Sequence, residues 1–157
     1  MKNLNKTLIA AAVFSLVSSV YAQSSSNVNV DSVTQKATAG MAGGAKQNLE
    51  IGNAAGGGKS NVTAKNITQT GKGGLIGGTN QTMKVGNATS GGTSNVKVDN
   101  ITQNAKAGMA GGAKQNLEIG NAANGGKSTV TAKNITQDGK GGLIGGTDQS
   151  MKIGNAK

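Results

Sequence analysis

Cut at every thirty-fourth residue from position 26, the sequence falls into register with itself as four units, 26–59, 60–93, 94–127 and 128–157, with no insertion or deletion between them. Units one and three resemble each other most, as do two and four, so a 68-residue pair is duplicated. An unbroken period of this length is the mark of a stacked array, in which each unit buries a face on the next rather than folding by itself.

Each unit holds two segments that read as strands. In "SNVTAKNITQ" (residues 60–69), Val62 and Ala64 alternate with Thr63 and Lys65, and the counterparts are Val28 and Val30, Val96 and Val98, Val130 and Ala132. In "NQTMKVGNA" (residues 80–88), Met83 and Val85 flank Lys84. Alternation with period two sets the aliphatic side chains on one face of a sheet. The Gly-rich spans between them, such as 71–78 and 90–93, read as turns. The expected unit is strand, arc, strand, arc, and the expected fold is an all-β, parallel-stacked, two-sheet β-solenoid about 19 Å tall at the interstrand spacing. Two sets of residues do not fit the alternation. Val33, Ile67, Ile101 and Ile135 have the opposite parity from the valines before them, so the strand bends there or shows an apolar row outward. Leu75, Ile76, Leu143 and Ile144 stand inside Gly-rich arcs, where the odd units carry Met41 and Met109.

The charges decide the layer length. One row reads Asp31, Lys65, Asp99, Lys133 and another Glu50, Lys84, Glu118, Lys152. With one 34-residue unit per layer, both rows become ladders of alternating sign, and alternation removes the repulsion that identical charges would suffer in a parallel stack. A 17-residue layer would set Glu50 over Ile67 and Asp31 over Asn48, and both ladders would vanish. The invariant amides fit the same stacking: Gln35, Gln69, Gln103 and Gln137; Gln47, Gln81, Gln115 and Gln149; and Asn53, Asn87, Asn121 and Asn155. In-register amides can donate to one layer and accept from the other. Gly52, Gly86, Gly120 and Gly154 are expected to turn the chain before the asparagines.

Residues 1–22 read as a secretory signal peptide, with basic Lys2 and Lys6, an apolar stretch from Leu8 to Val20 and a small residue at Ala22. That stretch is shorter than the roughly 20 residues a membrane span needs, so no membrane span is expected. Lys2, Lys6, Phe14 and Tyr21 leave with the signal. The remainder, residues 23–157, holds fourteen Lys against six acids, a net charge of +8, and has no aromatic, Cys, His, Arg or Pro. Of these residues, 23–25 form a short N-terminal segment. Such a composition excludes a disulfide scaffold and an ordinary large apolar core, and only the repeat argues against disorder.

It also leaves little for chemistry. Without His, Cys, Arg, Tyr or Trp, a catalytic site would fall to Lys, Ser and carboxylates that sit in repeat rows, so no enzyme is expected. No cofactor is expected, and no metal site, because the acids are spread rather than grouped. "GGGKS" and "NGGKS" lack the first Gly of a phosphate loop, which would fall at Asn53 and Asn121. Asn61-Val-Thr63 and Asn66-Ile-Thr68 read as strand composition rather than glycan sites. The lysines could draw extracellular DNA or anionic polysaccharide by charge alone, but without aromatic side chains no specific nucleic-acid recognition is expected.

No capping layer is legible on either side of the four units, and one end of the array carries Asp31 and Glu50 while the other carries Lys133 and Lys152. Solenoids that stay monomeric normally cap such ends. A second copy placed head to tail would continue both ladders in phase, a heterologous contact that need not close. The recurring Gln47, Gly52, Asn53, Ala54 set, with the Gln35 row, resembles the repeats of curli-type secreted functional amyloids and other fibre-forming bacterial repeat proteins, although those repeats are shorter and contain aromatic residues. The resemblance implies a bacterial, secreted, extracellular or cell-surface structural protein that forms fibres for biofilm matrix or adhesion, aided by a dedicated secretion and nucleation system. The alternative is a monomeric solenoid that binds a ligand on one flat face, as an adhesin or an ice-binding protein does. It would use the row Thr34, Thr68, Thr102, Thr136 and a second row, Asn29, Thr63, Lys97, Thr131.

Overall fold

The computed structural model describes residues 25–156, and the signal peptide expected at residues 1–22 lies outside them. Eight strands run in order: β1 (Ser25–Thr38), β2 (Ala45–Ile51), β3 (Lys59–Lys72), β4 (Thr79–Val85), β5 (Thr93–Lys106), β6 (Ala113–Ile119), β7 (Lys127–Lys140) and β8 (Thr147–Ile153). Odd strands form one parallel sheet, β1-β3-β5-β7, and even strands another, β2-β4-β6-β8. Every pairing is offset by 34 residues, for example Val62 with Val96 and Met83 with Leu117. The fold is therefore a two-sheet β-solenoid with one repeat per layer.

The two sheets face each other across a thin core. Val62, Ala64 and Ile67 of β3 and Met83 and Val85 of β4 are buried, as are their equivalents in β5 and β6. The parity conflict is resolved by a step in the long strand. In β3 the inward and outward alternation is regular up to Ala64, then Lys65 and Asn66 both face out, and Ile67 resumes the inward series. The valine row and the Ile67 row thus both serve the core. Because every long strand makes the step at the same place, Asn66 still pairs with Asn100 and Ile67 with Ile101. The long strand also runs on to Lys72, past the end that its alternation suggested, so the arc begins at Gly73.

The arcs have two designs. At 55–58 and its equivalents the chain turns through consecutive positive φ values, +66° and +77° at Gly56 and Gly57. Such a turn favours Gly or Asn, and the equivalents of Gly56 are Ser90 and Asn124, both also left-handed. Lys59 and Ser60 then enter a strand and not a helix, which removes any likeness to a phosphate loop. At 73–78 the arcs lie directly on one another. A Cβ placed on Gly74 would stand 1.6 Å from the carbonyl oxygen of Gly40, and one on Gly108 equally 1.6 Å from that of Gly74. Glycine is used here because the backbones touch. The side chains of Leu75, Ile76, Leu143 and Ile144, with Met41 and Met109, point outward.

Candidate functional site

The rows that run along the stack are the candidate site. The two glutamine rows take inward positions, facing each other from opposite sheets; they are buried in the inner layers and open to solvent at Gln149. In the odd sheet, Nε2 of Gln69, Gln103 and Gln137 donates to Oε1 of the glutamine one layer before, at 2.8, 2.8 and 2.9 Å. In the even sheet, Gln81, Gln115 and Gln149 do the same at 2.7, 3.1 and 2.8 Å. The second amide hydrogen crosses between sheets, from Gln69 to the Thr82 carbonyl at 3.1 Å and from Gln115 to the Gln103 carbonyl at 2.8 Å. Gln69, Gln81 and Gln103 are fully buried, so these bonds satisfy groups that water cannot reach.

The asparagine row after the glycines behaves differently from the expected amide ladder. Asn53 Nδ2 donates to Glu50 Oε2 at 2.9 Å, and Asn121 Nδ2 to Glu118 Oε2 at 3.3 Å. Oδ1 of Asn87 and of Asn121 is buried without a partner among the described residues. The cause is the bend. Gly52, Gly86, Gly120 and Gly154 all have positive φ, between +63° and +68°, which turns the chain so that the asparagine amide meets the carboxylate three residues earlier rather than the next layer. The residue that does bridge the layers here is alanine: Ala54, Ala88, Ala122 and Ala156 pair in series.

Other asparagines do stack. Asn61 donates to Asn27 at 2.7 Å and Asn95 to Asn61 at 3.0 Å. Asn100 donates to Asn66 at 2.9 Å and Asn134 to Asn100 at 2.8 Å. Their signal in the sequence is recurrence at 34 residues in three of the four units, broken by Thr129 in one row and Ser32 in the other. Ser60, Ser94 and Ser128 also recur, and each hydroxyl donates to a carbonyl eight residues earlier, of Gly52, Gly86 and Gly120, closing the arc between the sheets.

The charged rows stand in register, Glu50 beside Lys84, Lys84 beside Glu118 and Glu118 beside Lys152. Ion pairs close at alternate steps: Lys65 with Asp31 at 3.0 Å, Lys133 with Asp99 at 2.8 Å and Lys152 with Glu118 at 3.7 Å. Glu50 instead accepts from Asn48 and Asn53. The hydrogen bond from Lys133 holds the Asp99 carboxyl below the ordinary carboxylate range, with the charges of Lys133, Lys97 and Lys65 adding to it. The Lys65–Asp31 and Lys133–Asp99 pairs are exposed and contribute little stability each. Their larger effect is on register, since a layer displaced by one unit in this row would meet its own sign.

The layers at the two ends differ from the inner ones. Met151 and Ile153 in β8 are 42% and 43% exposed, whereas their equivalents Leu117 and Ile119 are fully buried. Gln47 Nε2, in the first layer, is buried and has no hydrogen-bond partner among the described residues. The threonine row Thr34, Thr68, Thr102, Thr136 is in register, but it and the row of Thr63 and Thr131 lie on opposite sides of the outward step. Among the described residues no cluster of three or more His, Cys, Asp or Glu could hold a metal ion, and no helix is long and apolar enough to cross a membrane. Comparison with protein-family models, curated proteins and solved structures gives no match to this chain.

Proposed function

We propose that this chain is a secreted structural subunit that stacks head to tail into extracellular, amyloid-like fibres, serving a biofilm matrix or surface adhesion. The observation that carries the reading is the polarity of the Gln47 row. Each Nε2 in that row points toward the preceding layer, so the first layer leaves Gln47 Nε2 buried and unpaired, while Gln149 Oε1 in the last layer accepts nothing among the described residues. An orphaned buried donor costs about 1–3 kcal/mol. A second molecule docked so that its Gln149 meets Gln47 removes that cost, covers Met151 and Ile153, and continues the parallel sheets.

The charges at such a junction agree with the docking. Lys152 of one copy would lie over Glu50 of the next, and Lys133 over Asp31. The curli-type resemblance adds the expectation of a dedicated secretion and nucleation system.

The junction is tested by reversing its charge. Lys152→Glu places an acid between Glu118 in its own molecule and Glu50 of the next. Each exposed like-charge contact costs a fraction of a kcal/mol to about 1 kcal/mol. The junction penalty recurs at every addition, so elongation followed by light scattering is expected to slow several-fold and to recover at high salt. The fully inverted row, Glu50→Lys, Lys84→Glu, Glu118→Lys and Lys152→Glu, is expected to restore growth. An unaffected single variant, or an inverted row as slow as Lys152→Glu, would remove the charge row from the junction.

A further inference from the structure

One charged row breaks the pattern of all the others. Thr38, Lys72, Lys106 and Lys140 are in register, so three lysines occupy adjacent layers. Every other charged row among the described residues alternates in sign or separates its charges with neutral residues. Lys72, Lys106 and Lys140 are exposed, and none of them forms an ion pair among the described residues. The repulsion that the chain avoids at Glu50 and Asp31 by alternation is retained here.

Three residues further on, the arc carries the most exposed large apolar side chains among the described residues. Met41, Leu75, Met109 and Leu143 share one row, with Ile76 and Ile144 beside it, and their exposure runs from 50% at Leu75 to 87% at Leu143. The backbone beneath them is fixed: Ile76 N donates to the Met41 carbonyl at 2.9 Å, Ile144 N to that of Met109 at 3.1 Å and Gly74 N to that of Gly43 at 3.0 Å. The apolar tips therefore cannot fold back into the core without breaking these bonds. Lys72 and Lys106 line the same groove as Met41, Leu75, Met109 and Leu143, a trough of about 780 Å³ along the stack.

We propose that this edge docks onto the surface of an anionic lipid bilayer, with the lysines at the phosphate level and the Leu and Ile side chains in the interfacial zone. The charge selects the occupant. A second copy laid arc to arc would set two lysine rows against each other. An anionic polysaccharide or a nucleic acid would match the lysines and leave the apolar row in water. An anionic bilayer satisfies both, since apolar tips flanked by lysine are the arrangement of interfacial anchors. The surface is complete within one molecule, so it does not depend on head-to-tail stacking.

The test uses the full chain with vesicles of phosphatidylcholine alone or mixed with phosphatidylglycerol. The triple change Lys72→Gln, Lys106→Gln, Lys140→Gln is compared with Lys59→Gln, Lys97→Gln, Lys127→Gln, which removes the same charge from other exposed rows. A lysine at an anionic surface contributes about fivefold in affinity, so the first variant is expected to bind mixed vesicles at least about tenfold more weakly than the second. The chain has no Trp, so Ile144→Trp reports on the arc alone, apart from the apolar segment at residues 8–20 that all variants share. Its emission is expected to shift to the blue with mixed vesicles, and that of Thr131→Trp to stay unchanged. Equal losses in the two triple variants, an unshifted Trp at position 144, or equal binding to pure phosphatidylcholine would each overturn the proposal.

Discussion

A methyl group at Gly108 is expected to destabilise the solenoid by about 3 kcal/mol or more, whereas a methyl group at Gly40, in the same row, is expected to leave the isolated chain folded and to stop it stacking. The two glycines differ only in what lies beneath them. A Cβ on Gly108 meets the Gly74 carbonyl oxygen at 1.6 Å, a backbone atom pinned in its own layer, while a Cβ on Gly40 meets nothing within 4 Å among the described residues. Neither glycine has a positive φ, so Ala would otherwise gain about 0.4–1 kcal/mol by restricting the unfolded chain. At Gly108 the clash outweighs that gain. At Gly40 the gain survives in the monomer, but in a stack the new methyl group would meet Gly142 of the next molecule as Gly108 meets Gly74. Urea midpoints by circular dichroism and growth curves by light scattering separate the two effects. A Gly40→Ala chain that elongates at the parent rate would show that the arcs do not continue across a junction.

Replacing Gln103 by Leu is expected to cost about 3 kcal/mol, although the new side chain is apolar and of similar size. Gln103 Nε2 is the donor to Gln69 Oε1, and its Oε1 accepts from Gln137 Nε2. Leu removes both bonds in a region with no access to water and leaves Gln69 Oε1 without its donor. Each orphaned buried group costs about 1–3 kcal/mol. Replacing all of Gln35, Gln69, Gln103 and Gln137 by Leu is expected to cost less than four times the single change, because every partner within the row leaves together and only the cross-sheet carbonyls such as those of Thr82 and Asn116 lose a donor. Thermal unfolding of the two variants checks this. A single variant as stable as the parent would mean that the row contributes no buried hydrogen bonding.

The layer length and pairing were legible because charge is unforgiving in a parallel stack. The alternation of Glu50 with Lys84 and of Asp31 with Lys65 fits only a 34-residue layer, and the observed pairing is that one throughout. The step at Lys65 and Asn66 was visible as a parity conflict. Its resolution needed the tertiary core, since nothing local says whether Ile67 turns in or stays out. The asparagine row at Asn53 reads like the glutamine rows, yet the left-handed glycine before it sends its amide to Glu50. One side chain bond was thus decided by backbone rotation, which identity at 34 residues does not reveal. The burial of the glutamines was also hidden, because a polar residue at inward parity is legible as core only when a partner row faces it. The arc residues Leu75 and Ile76 gave no direction in the sequence. They face out because the glycines around them are packed backbone to backbone, leaving no space inward.

Cryo-electron microscopy of concentrated protein at neutral pH measures the central claim most directly. The account predicts filaments in which each molecule advances the axis by four layers, about 19 Å, with Gln149 Oε1 of one copy within hydrogen-bonding distance of Gln47 Nε2 of the next and both sheets continuous across the junction. Persistent monomers with and without seeds, or filaments whose strands pair antiparallel at the junction, would contradict it.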